Sequence, residues 1–258
     1  MLHIAILNLM PNKRETEEHL LSLLEHSNIP FVVTFLYAET HNTKSAEFEY
    51  IKENYSTFSK IKNQQFDGLI VTGAPVELIE FENVDYWNEL KEIFDWTKTN
   101  VKSSFFICWA SQAALYHFYG IPKYKLSQKM FGIFEHSIPN PDFPLMKNFK
   151  DKILIPQSRH TEIRFQDVEK ISELQILAIS EKAGISIVSD KFGKQIFASG
   201  HSEYPQLRLK FEYERDLAKG LEINIPRNYF PQNEPSRLPE FSWRKDAELL
   251  FLNWLEML

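Results

Sequence analysis

Residues 104–114 read Ser-Phe-Phe-Ile-Cys-Trp-Ala-Ser-Gln-Ala-Ala, an apolar run that passes through Cys108 into an alanine-rich stretch. This pattern predicts a buried strand that ends at Ile107 and a helix that begins directly after the cysteine. A sharp strand-to-helix turn exposes its side chain above the sheet, and the helix start stabilises a thiolate there. Cys108 is therefore a candidate nucleophile. The alternative is a buried cysteine that acts only as a small hydrophobic residue, which is the commoner role of a cysteine taken alone.

Apolar runs alternate with helix-period segments through the first half of the chain. Predicted strands cover residues 4–9, 31–37 and 66–72, and predicted helices cover residues 15–26 and 85–99. This alternation is typical of crossover units, so the predicted fold class is α/β, with an open, mostly parallel sheet flanked by helices. Ligands bind outside the carboxyl ends of such strands, so the turn at Gly73 and Cys108 are expected to be neighbours.

The second half contains shorter apolar runs, which we expect to be additional strands that close over the same edge of the sheet. These runs cover residues 131–138, 152–156, 174–179, 185–189 and 195–199. Helices are predicted near residues 206–219 and 245–257, on either side of a connection rich in proline and asparagine. No internal repeat or low-complexity linker interrupts the chain, and the simplest prediction is a single domain over residues 1–258.

Composition and charge argue against several classes of protein. Of the 258 residues, 43% are hydrophobic, but no apolar segment is long enough to span a membrane. The net charge is −6, and Lys123 and Lys125 are the closest approach to a phosphate track, so nucleic-acid binding is not expected. Residues 3–9 resemble a first strand more than a signal peptide, and a cytoplasmic location is expected. A single cysteine excludes an intramolecular disulfide, and the histidines show no ligand spacing typical of a metal site.

A thiol nucleophile needs a base, and that base needs an acceptor that orients it. Residues 198–205 read Ala-Ser-Gly-His-Ser-Glu-Tyr-Pro and follow a predicted strand. His201 can take a proton from Cys108, while Glu203 accepts a hydrogen bond from the other ring nitrogen. Taken alone, His201 is equally well explained as a loop histidine without a partner, and Glu203 as a solvated carboxylate.

These residues carry a resemblance to a known family. The Cys-Trp-Ala sequence at Cys108 and the His-Ser-Glu sequence at His201 resemble the Cys-His-Glu arrangement of the class I glutamine amidotransferase-like fold. In detail, the chain resembles the homoserine O-acyltransferases of methionine biosynthesis over nearly its whole length. The matching stretches are residues 6–11, 66–75, 108–110, 119–123, 200–204, 228–231 and 242–244.

The resemblance implies an acyl-enzyme mechanism. Cys108 attacks the thioester of an acyl-CoA, CoA leaves, and the hydroxyl of an amino acid attacks the resulting acyl-enzyme. His201 serves as general base in each half, held by Glu203. The backbone N–H groups of Gly73 and Trp109 are the expected oxyanion donors. No cofactor is implied beyond acetyl-CoA as co-substrate.

The resemblance also implies roles for four residues at the substrates. Lys129 would help to hold substrate near the nucleophile, Ser158 would contact the acceptor, and Arg215 would bind the acceptor carboxylate. Without the resemblance, these three residues are more simply a solvated lysine, a turn serine and an exposed ion pair. Glu77 occupies the position at which glutamate accompanies acetyl-CoA and a small residue accompanies succinyl-CoA. A carboxylate there repels the free carboxylate of a succinyl group, so acetyl transfer to L-homoserine is predicted.

Several alternatives stay open. L-Serine is one methylene shorter than homoserine, and a pocket discriminates one methylene by only about 1–3 kcal/mol. Many family members carry an N-terminal arm before the first strand, whereas this chain begins almost at that strand. Serine acetylation, a succinyl donor, glutamine amidotransfer and a non-catalytic binding role are the competing functions. The expected partners are small-molecule substrates, with neither nucleic acid nor membrane, and a homodimer is an expectation from the resemblance alone.

Overall fold

The computed structural model describes residues 1–41 and 48–258. The strands are β1 (Leu2–Leu7), β2 (Phe31–Leu36), β3 (Phe66–Val71), β4 (Val101–Ile107), β5 (Tyr124–Ser137), β6 (Lys152–Glu162), β7 (Leu174–Ser180), β8 (Gly184–Asp190) and β9 (Gln195–Ala198). The helices are α1 (Lys13–His26), α2 (Phe48–Asn54), α3 (Phe58–Ile61), α4 (Trp87–Asn100), α5 (Trp109–Tyr119), α6 (Phe165–Val168), α7 (Arg208–Ala218) and α8 (Arg244–Met257). For most elements the bounds agree with the sequence predictions to within a few residues. β5 begins seven residues earlier and β6 ends six residues later than predicted, and the short helices α2, α3 and α6 were not predicted.

The nine strands form one sheet in the order β2-β1-β3-β4-β9-β8-β7-β5-β6. The strands β2, β1, β3, β4 and β9 are parallel, and the remaining pairs are antiparallel. The α/β prediction is confirmed. Most of the parallel strands, β1 to β4, come from the first half of the chain, where the alternation of strands and helices was clearest in the sequence. The later strands extend the same sheet and do not close over its edge. The connections β7–β8 and β8–β9 have only three and four residues, which leaves no room for the crossover that a parallel neighbour requires, so these strands pair antiparallel.

Both faces of the sheet are covered. In β1, Ile4 and Ile6 point into a core that includes Leu20 of α1 and Trp254 of α8. The alternate residues of the parallel strands belong to the opposite core, which α4 and α5 complete. Strands buried on both faces read as continuous apolar runs, which is why these segments stood out in the sequence. None of the helices in the described part of the chain is both long and apolar enough to cross a membrane.

The parallel arrangement brings four chain segments to one edge of the sheet. The segments that follow β1, β3, β4 and β9 begin at the carboxyl ends of strands that run in the same direction. They carry Met10, Gly73, Cys108 and His201, which all line one cavity. The topology alone therefore places the predicted nucleophile beside the predicted base, 93 positions later in the chain.

Candidate active site

Cys108 lies at the turn between β4 and α5 in a backbone conformation that side chains rarely adopt, with φ 52° and ψ −116°. Its N–H donates a hydrogen bond of 2.7 Å to the carbonyl oxygen of Ala198, which ties the turn to the end of β9. The Ser111 hydroxyl donates a 2.6 Å hydrogen bond to the Cys108 carbonyl oxygen. These bonds hold the strained turn in place, and the thiol is left at the floor of a cavity.

His201 is the partner of Cys108. Its ring lies within hydrogen-bonding reach of the thiol and stacks on the Tyr204 ring, with centroids 4.1 Å apart and planes at 18°. The His201 N–H donates to the carbonyl oxygen of Pro156 at 2.9 Å, which anchors the loop after β9 to β6. Backbone and ring are both held, so the imidazole has one orientation toward the sulfur.

The charge state of His201 follows from its surroundings. Burial by itself lowers the pKa of His201, because the interior disfavours the imidazolium. The negative charges of Cys108 and Glu203, with a hydrogen bond to each, outweigh burial and place the pKa of His201 well above its ordinary value. The site therefore favours the imidazolium form of His201.

Glu203 orients the imidazole from the other side. Its Oε1 lies 2.6 Å from His201 Nδ1, so the ring N–H donates to the carboxylate and Nε2 is the nitrogen left for the thiol. The other oxygen, Oε2, is buried and accepts no hydrogen bond from any of the described residues. Cys108, His201 and Glu203 thus stand in the order that nucleophilic catalysis requires.

The residues of the two predicted oxyanion donors, Gly73 and Trp109, both lie next to Cys108. A Cβ atom added to Gly73 would lie 3.2 Å from the Cys108 Cβ and 3.7 Å from His201 Cε1, so the backbone after β3 approaches the pair closely. Trp109 is the first residue of α5, where a helical N–H has no intrahelical acceptor. Its indole is fully buried and serves the core.

A cavity of about 270 Å³ opens above the thiol. Of the residues singled out in the sequence, it is lined by Gly73, Glu77, Cys108, Lys129, Ser158, His201 and Arg215. Trp109 is fully buried directly after Cys108, and Glu203 lies behind the imidazole. The fold therefore collects at one place residues that span almost 150 positions of sequence.

A carboxylate that the sequence did not single out organises the far wall of this cavity. Glu212, on α7, is buried and accepts hydrogen bonds from the Tyr204 hydroxyl at 2.8 Å and the Ser158 hydroxyl at 2.5 Å. Lys129 Nζ lies 3.4 Å from Glu212 Oε2 and 3.3 Å from Asp216 Oδ2. Lys129 and Ser158 are therefore held by this acidic pair and are not solvated.

Two arginines of α7 border the same wall. Arg208 pairs with Glu15 at 2.8 Å and with Glu212 at 3.3 Å. Arg215 pairs with Asp216 at 2.7 Å, and about half of its side chain is exposed. Arg215 therefore keeps part of its guanidinium available at the mouth of the cavity.

Glu77, on the segment after β3, also lines the cavity. Its Oε2 accepts a 3.3 Å hydrogen bond from the backbone N–H of His160, and its Oε1 is 4.0 Å from the His160 ring. Glu77 is only 20% exposed, so its carboxylate faces the cavity rather than bulk solvent. His160 stands two residues after Ser158 on β6, on the same face of the strand.

The residues missed in the sequence had a weak signal. Arg208, Glu212 and Asp216 recur every four residues on a predicted helix, which places them on one face. From sequence alone, such a stripe is equally typical of a solvated helix surface. The packing of α7 against the cavity decides otherwise, because it buries Glu212 and Asp216 to 5% and 6% exposure.

No group of three or more His, Cys, Asp or Glu side chains within residues 1–41 and 48–258 could hold a metal ion. The chemistry that the described residues offer is that of a thiol, an imidazole and a carboxylate, with charged groups of both signs around them. This set can carry out acyl transfer through a covalent thioester.

Comparison with known proteins places this geometry in context. The homoserine O-acetyltransferase of Acetivibrio thermocellus is 53% identical over 254 residues, which cover 98% of this chain and 83% of that protein. The homoserine O-acetyltransferase of Geobacillus sp. strain WCH70 is also 53% identical, over 98% of this chain and 84% of that protein. Both relatives are similar to this chain along almost all of its length.

Solved structures show the fold. A glutamine amidotransferase from Thermotoga maritima superposes with a TM-score of 0.63 at 16% identity, over 98% of this chain and 96% of that chain. A glutamine amidotransferase from Methylobacillus flagellatus gives 0.61 at 12% identity, over 100% and 94% of the two chains. The predicted class I glutamine amidotransferase-like fold is confirmed.

The family model for homoserine O-succinyltransferase matches residues 1–258, the full sequence. With relatives at about half identity over the same span, this match confirms the resemblance seen in the motifs. The chain belongs to the homoserine O-succinyltransferase family.

Proposed function

We propose that this protein transfers the acetyl group of acetyl-CoA to the hydroxyl of L-homoserine through an acyl-enzyme on Cys108. The observation that carries the proposal is the 53% identity, over 98% of the chain, to proteins named homoserine O-acetyltransferase. The geometry of the cavity supports it, because a thiol, a base and charged groups suited to an amino acid line the same space.

In the first half of the reaction, the Cys108 thiolate attacks the thioester carbonyl of acetyl-CoA. Negative charge develops on the carbonyl oxygen, and the N–H groups of Gly73 and Trp109 are proposed to stabilise it. The tetrahedral intermediate collapses, the C–S bond to CoA breaks, and His201 gives its proton to the departing CoA sulfur. Acetyl-Cys108 and free CoA result.

In the second half, the homoserine hydroxyl attacks acetyl-Cys108. His201 takes the hydroxyl proton as the new C–O bond forms, and the imidazolium is stabilised by Glu203. When the C–S bond to Cys108 breaks, the thiolate is restored and stabilised again by His201. O-acetylhomoserine leaves, and the proton now on His201 replaces the one that it gave to CoA, so the site returns to its starting protonation state.

The charges around the cavity suit a zwitterionic acceptor. Arg215, half exposed at the mouth, can bond the acceptor carboxylate in a bidentate manner. Glu212 and Asp216 are acidic neighbours for its ammonium group, and Lys129 and Ser158 hold that acidic pair in place. These residues are proposed as the acceptor site.

Glu77 is proposed to select the acyl group. Its carboxylate faces the cavity that also contains Cys108. The free carboxylate of a succinyl group bound at Cys108 would approach this charge inside a largely desolvated space, where like charges repel strongly. An acetyl group carries no charge and avoids the penalty.

The direct test is CoA release, followed with a thiol reagent, for acetyl-CoA or succinyl-CoA against L-homoserine, L-serine and no acceptor. We expect release that requires acetyl-CoA and homoserine together and is lost in Cys108→Ala. Preference for serine would assign the enzyme to O-acetylserine formation, and preference for succinyl-CoA would overturn the role of Glu77. No release with any pair would exclude acyl transfer.

Glutamine hydrolysis is the second candidate function, because the fold neighbours are glutamine amidotransferases. Ammonia release from L-glutamine, measured with the same Cys108→Ala control, separates the two activities. We expect none above the level of the variant.

We further propose a cytoplasmic homodimer that works on small molecules alone. The chemistry supports the location, since acyl-CoA and free amino acids meet inside the cell. The resemblance supports the dimer, and sedimentation equilibrium tests it. A monomer at micromolar concentration would contradict it.

A further inference from the structure

Behind the imidazole lies a second, much smaller space that the proposed chemistry does not use. It is a cavity of about 20 Å³ between α1, the end of β4 and the loop after β9. Its polar lining includes Glu203, His19, Thr16 and Arg208. A buried cavity needs about 10–15 Å³ to hold one water, so this one has room for a single molecule.

Glu203 has an unused hydrogen-bonding position at this cavity. Its Oε1 is taken by His201, while Oε2 is buried and accepts no hydrogen bond within the described residues. The Glu203 side chain is nine-tenths buried. An ionised carboxylate oxygen without a donor is costly in such a place, so a donor is expected there.

His19 is the lining residue whose donor is not engaged elsewhere in the described part of the chain. Arg208 is paired with Glu15 and Glu212. The hydroxyls of Thr16 and Thr72 donate to backbone carbonyl oxygens.

His19 lies on α1, is 14% exposed, and its Nε2 is 4.0 Å from Glu15 Oε1, too far for a hydrogen bond. Burial lowers the pKa of His19, and the nearby carboxylates of Glu15, Glu203 and Glu18 only partly oppose this effect, while Arg208 adds to it. At neutral pH the ring is therefore uncharged, with one N–H to donate and one nitrogen to accept.

We propose that one water in this cavity bridges the ring of His19 and Glu203 Oε2, which makes His19 a positioning residue for the Cys108–His201–Glu203 triad. The inference rests on the proposed roles of His201 and Glu203 and extends them by one step. His19 touches neither substrate nor sulfur. It acts by fixing the second oxygen of Glu203, so that the first oxygen stays aligned with the imidazole.

The lone thiol of this chain permits a test without substrate. Because Cys108 is the only cysteine, the alkylation rate by iodoacetamide between pH 5 and pH 9 reports on this thiolate alone. In His19→Ala we expect the rate at pH 7 to fall about tenfold and the pH profile to shift upward, since a misaligned Glu203 stabilises the imidazolium less. We expect His19→Gln, which keeps a donor, to retain most of the rate.

His26→Ala is the matched control. His26 lies on the same helix, is more than half exposed and pairs with Glu248, away from the cavity. Its variant should react like the unmodified protein. The kcat for acetyl transfer should follow the alkylation rate in all three variants, while the KM for homoserine stays unchanged.

A double substitution separates positioning from a general structural effect. In the Glu203→Ala background, His19→Ala should cause no further loss of thiolate reactivity, because the residue through which it acts is gone. An equal loss in both backgrounds, or full reactivity in His19→Ala, would overturn the proposal.

A high-resolution crystal structure of the unmodified protein provides a test that needs no variant. We expect a water within hydrogen-bonding distance of both Glu203 Oε2 and a ring nitrogen of His19. A different group on Oε2, or an empty cavity, would overturn the bridge. Both this test and alkylation remain readable even if the protein fails to acetylate homoserine.

Discussion

Cys108, the predicted nucleophile, has a strained backbone conformation. Its positive φ, paired with a strongly negative ψ, is a conformation that glycine tolerates and side chains do not, and such strain costs about 1–3 kcal/mol. The turn persists because bonds to Ala198 and Ser111 hold it. The protein therefore gives up stability to present the thiol above the sheet.

This strain predicts a difference in stability between two variants at Cys108. Cys108→Gly should have a free energy of unfolding at least about 1 kcal/mol higher than Cys108→Ala, because only glycine relaxes the turn. Urea unfolding at pH 7 measures the difference. Equal stability of the two variants would show that the turn is not strained.

Glu77 predicts a change of acyl donor. Glu77→Gln removes the charge but keeps the size, and Glu77→Gly removes both. If repulsion excludes succinyl-CoA, both variants should raise its kcat/KM relative to acetyl-CoA by about tenfold or more, equivalent to about 1.4 kcal/mol. If only Glu77→Gly does so, space rather than charge selects the donor, and an unchanged ratio in both would contradict any role for Glu77.

At the scale of elements, α7 provides the acidic wall of the cavity. Burial alone raises the pKa of Glu212, but the charges of Lys129 and Arg208 and the hydrogen bond from Ser158 outweigh it and hold this pKa below its ordinary value. Burial likewise raises the pKa of Asp216. The hydrogen bond from Arg215 and the charge of Lys129 outweigh burial and hold this pKa below its ordinary value. Such carboxylates stabilise the fold above their unfolded pKa, and this contribution is lost as the pH falls through the folded pKa.

Glu212→Gln should therefore destabilise the protein in a pH-dependent manner. At pH 7 we expect a loss of roughly 3 kcal/mol, since Lys129 and Arg208 lose a buried partner. The difference from the unmodified protein should shrink below about pH 4, where the carboxylate is protonated in the unfolded chain. Urea unfolding at pH 7 and pH 3 measures this.

The matched control lies on the same helix. Glu214 is 56% exposed and faces Lys210 at 3.8 Å, so Glu214→Gln should cost less than about 1 kcal/mol at either pH. A pH-independent loss in Glu212→Gln would show that its charge is not what stabilises the wall.

At the scale of the whole molecule, α8 completes the core on one face of the sheet that carries Cys108. Trp254 is fully buried, its indole N–H donates to Ser103 Oγ at 3.0 Å, and its ring meets Phe105 edge-on at 5.7 Å. A Cβ atom on Gly68 would come within 2.9 Å of this ring, so the helix packs on β3 only because that position is glycine. The last turns of the chain thus support strands that end at the active site.

Trp254→Ala should lower the free energy of unfolding by about 3–5 kcal/mol, because it leaves a large cavity and removes the hydrogen bond that Ser103 Oγ accepts. Trp96→Ala is the control, since that ring is only partly buried, and it should cost distinctly less. Molecules of Trp254→Ala that remain folded should keep their kcat, since Trp254 does not line the cavity at Cys108. An equal loss for both tryptophans would contradict this account of the core.

Local patterns in the chain were enough to predict the α/β class and most strand and helix bounds. They also predicted that Cys108, His201 and Glu203 lie just after the ends of strands. Buried parallel strands and the turns that follow them depend on near neighbours, so they can be read without tertiary contacts. The direction of the later strands depends on which strand each one pairs with. That choice was not readable, and four of them joined the sheet as antiparallel neighbours.

The surroundings of the triad were decided by tertiary structure alone. Glu212 and Asp216 have the sequence signature of a solvated helix face, and only the docking of α7 buries them against Lys129 and Ser158. No sequence pattern indicated a role for His19, because its proposed role depends on a cavity that it shares with Glu203, 184 positions away. Residue type and spacing determined which groups could react, whereas burial and long-range contact decided their charge, their orientation and their partners.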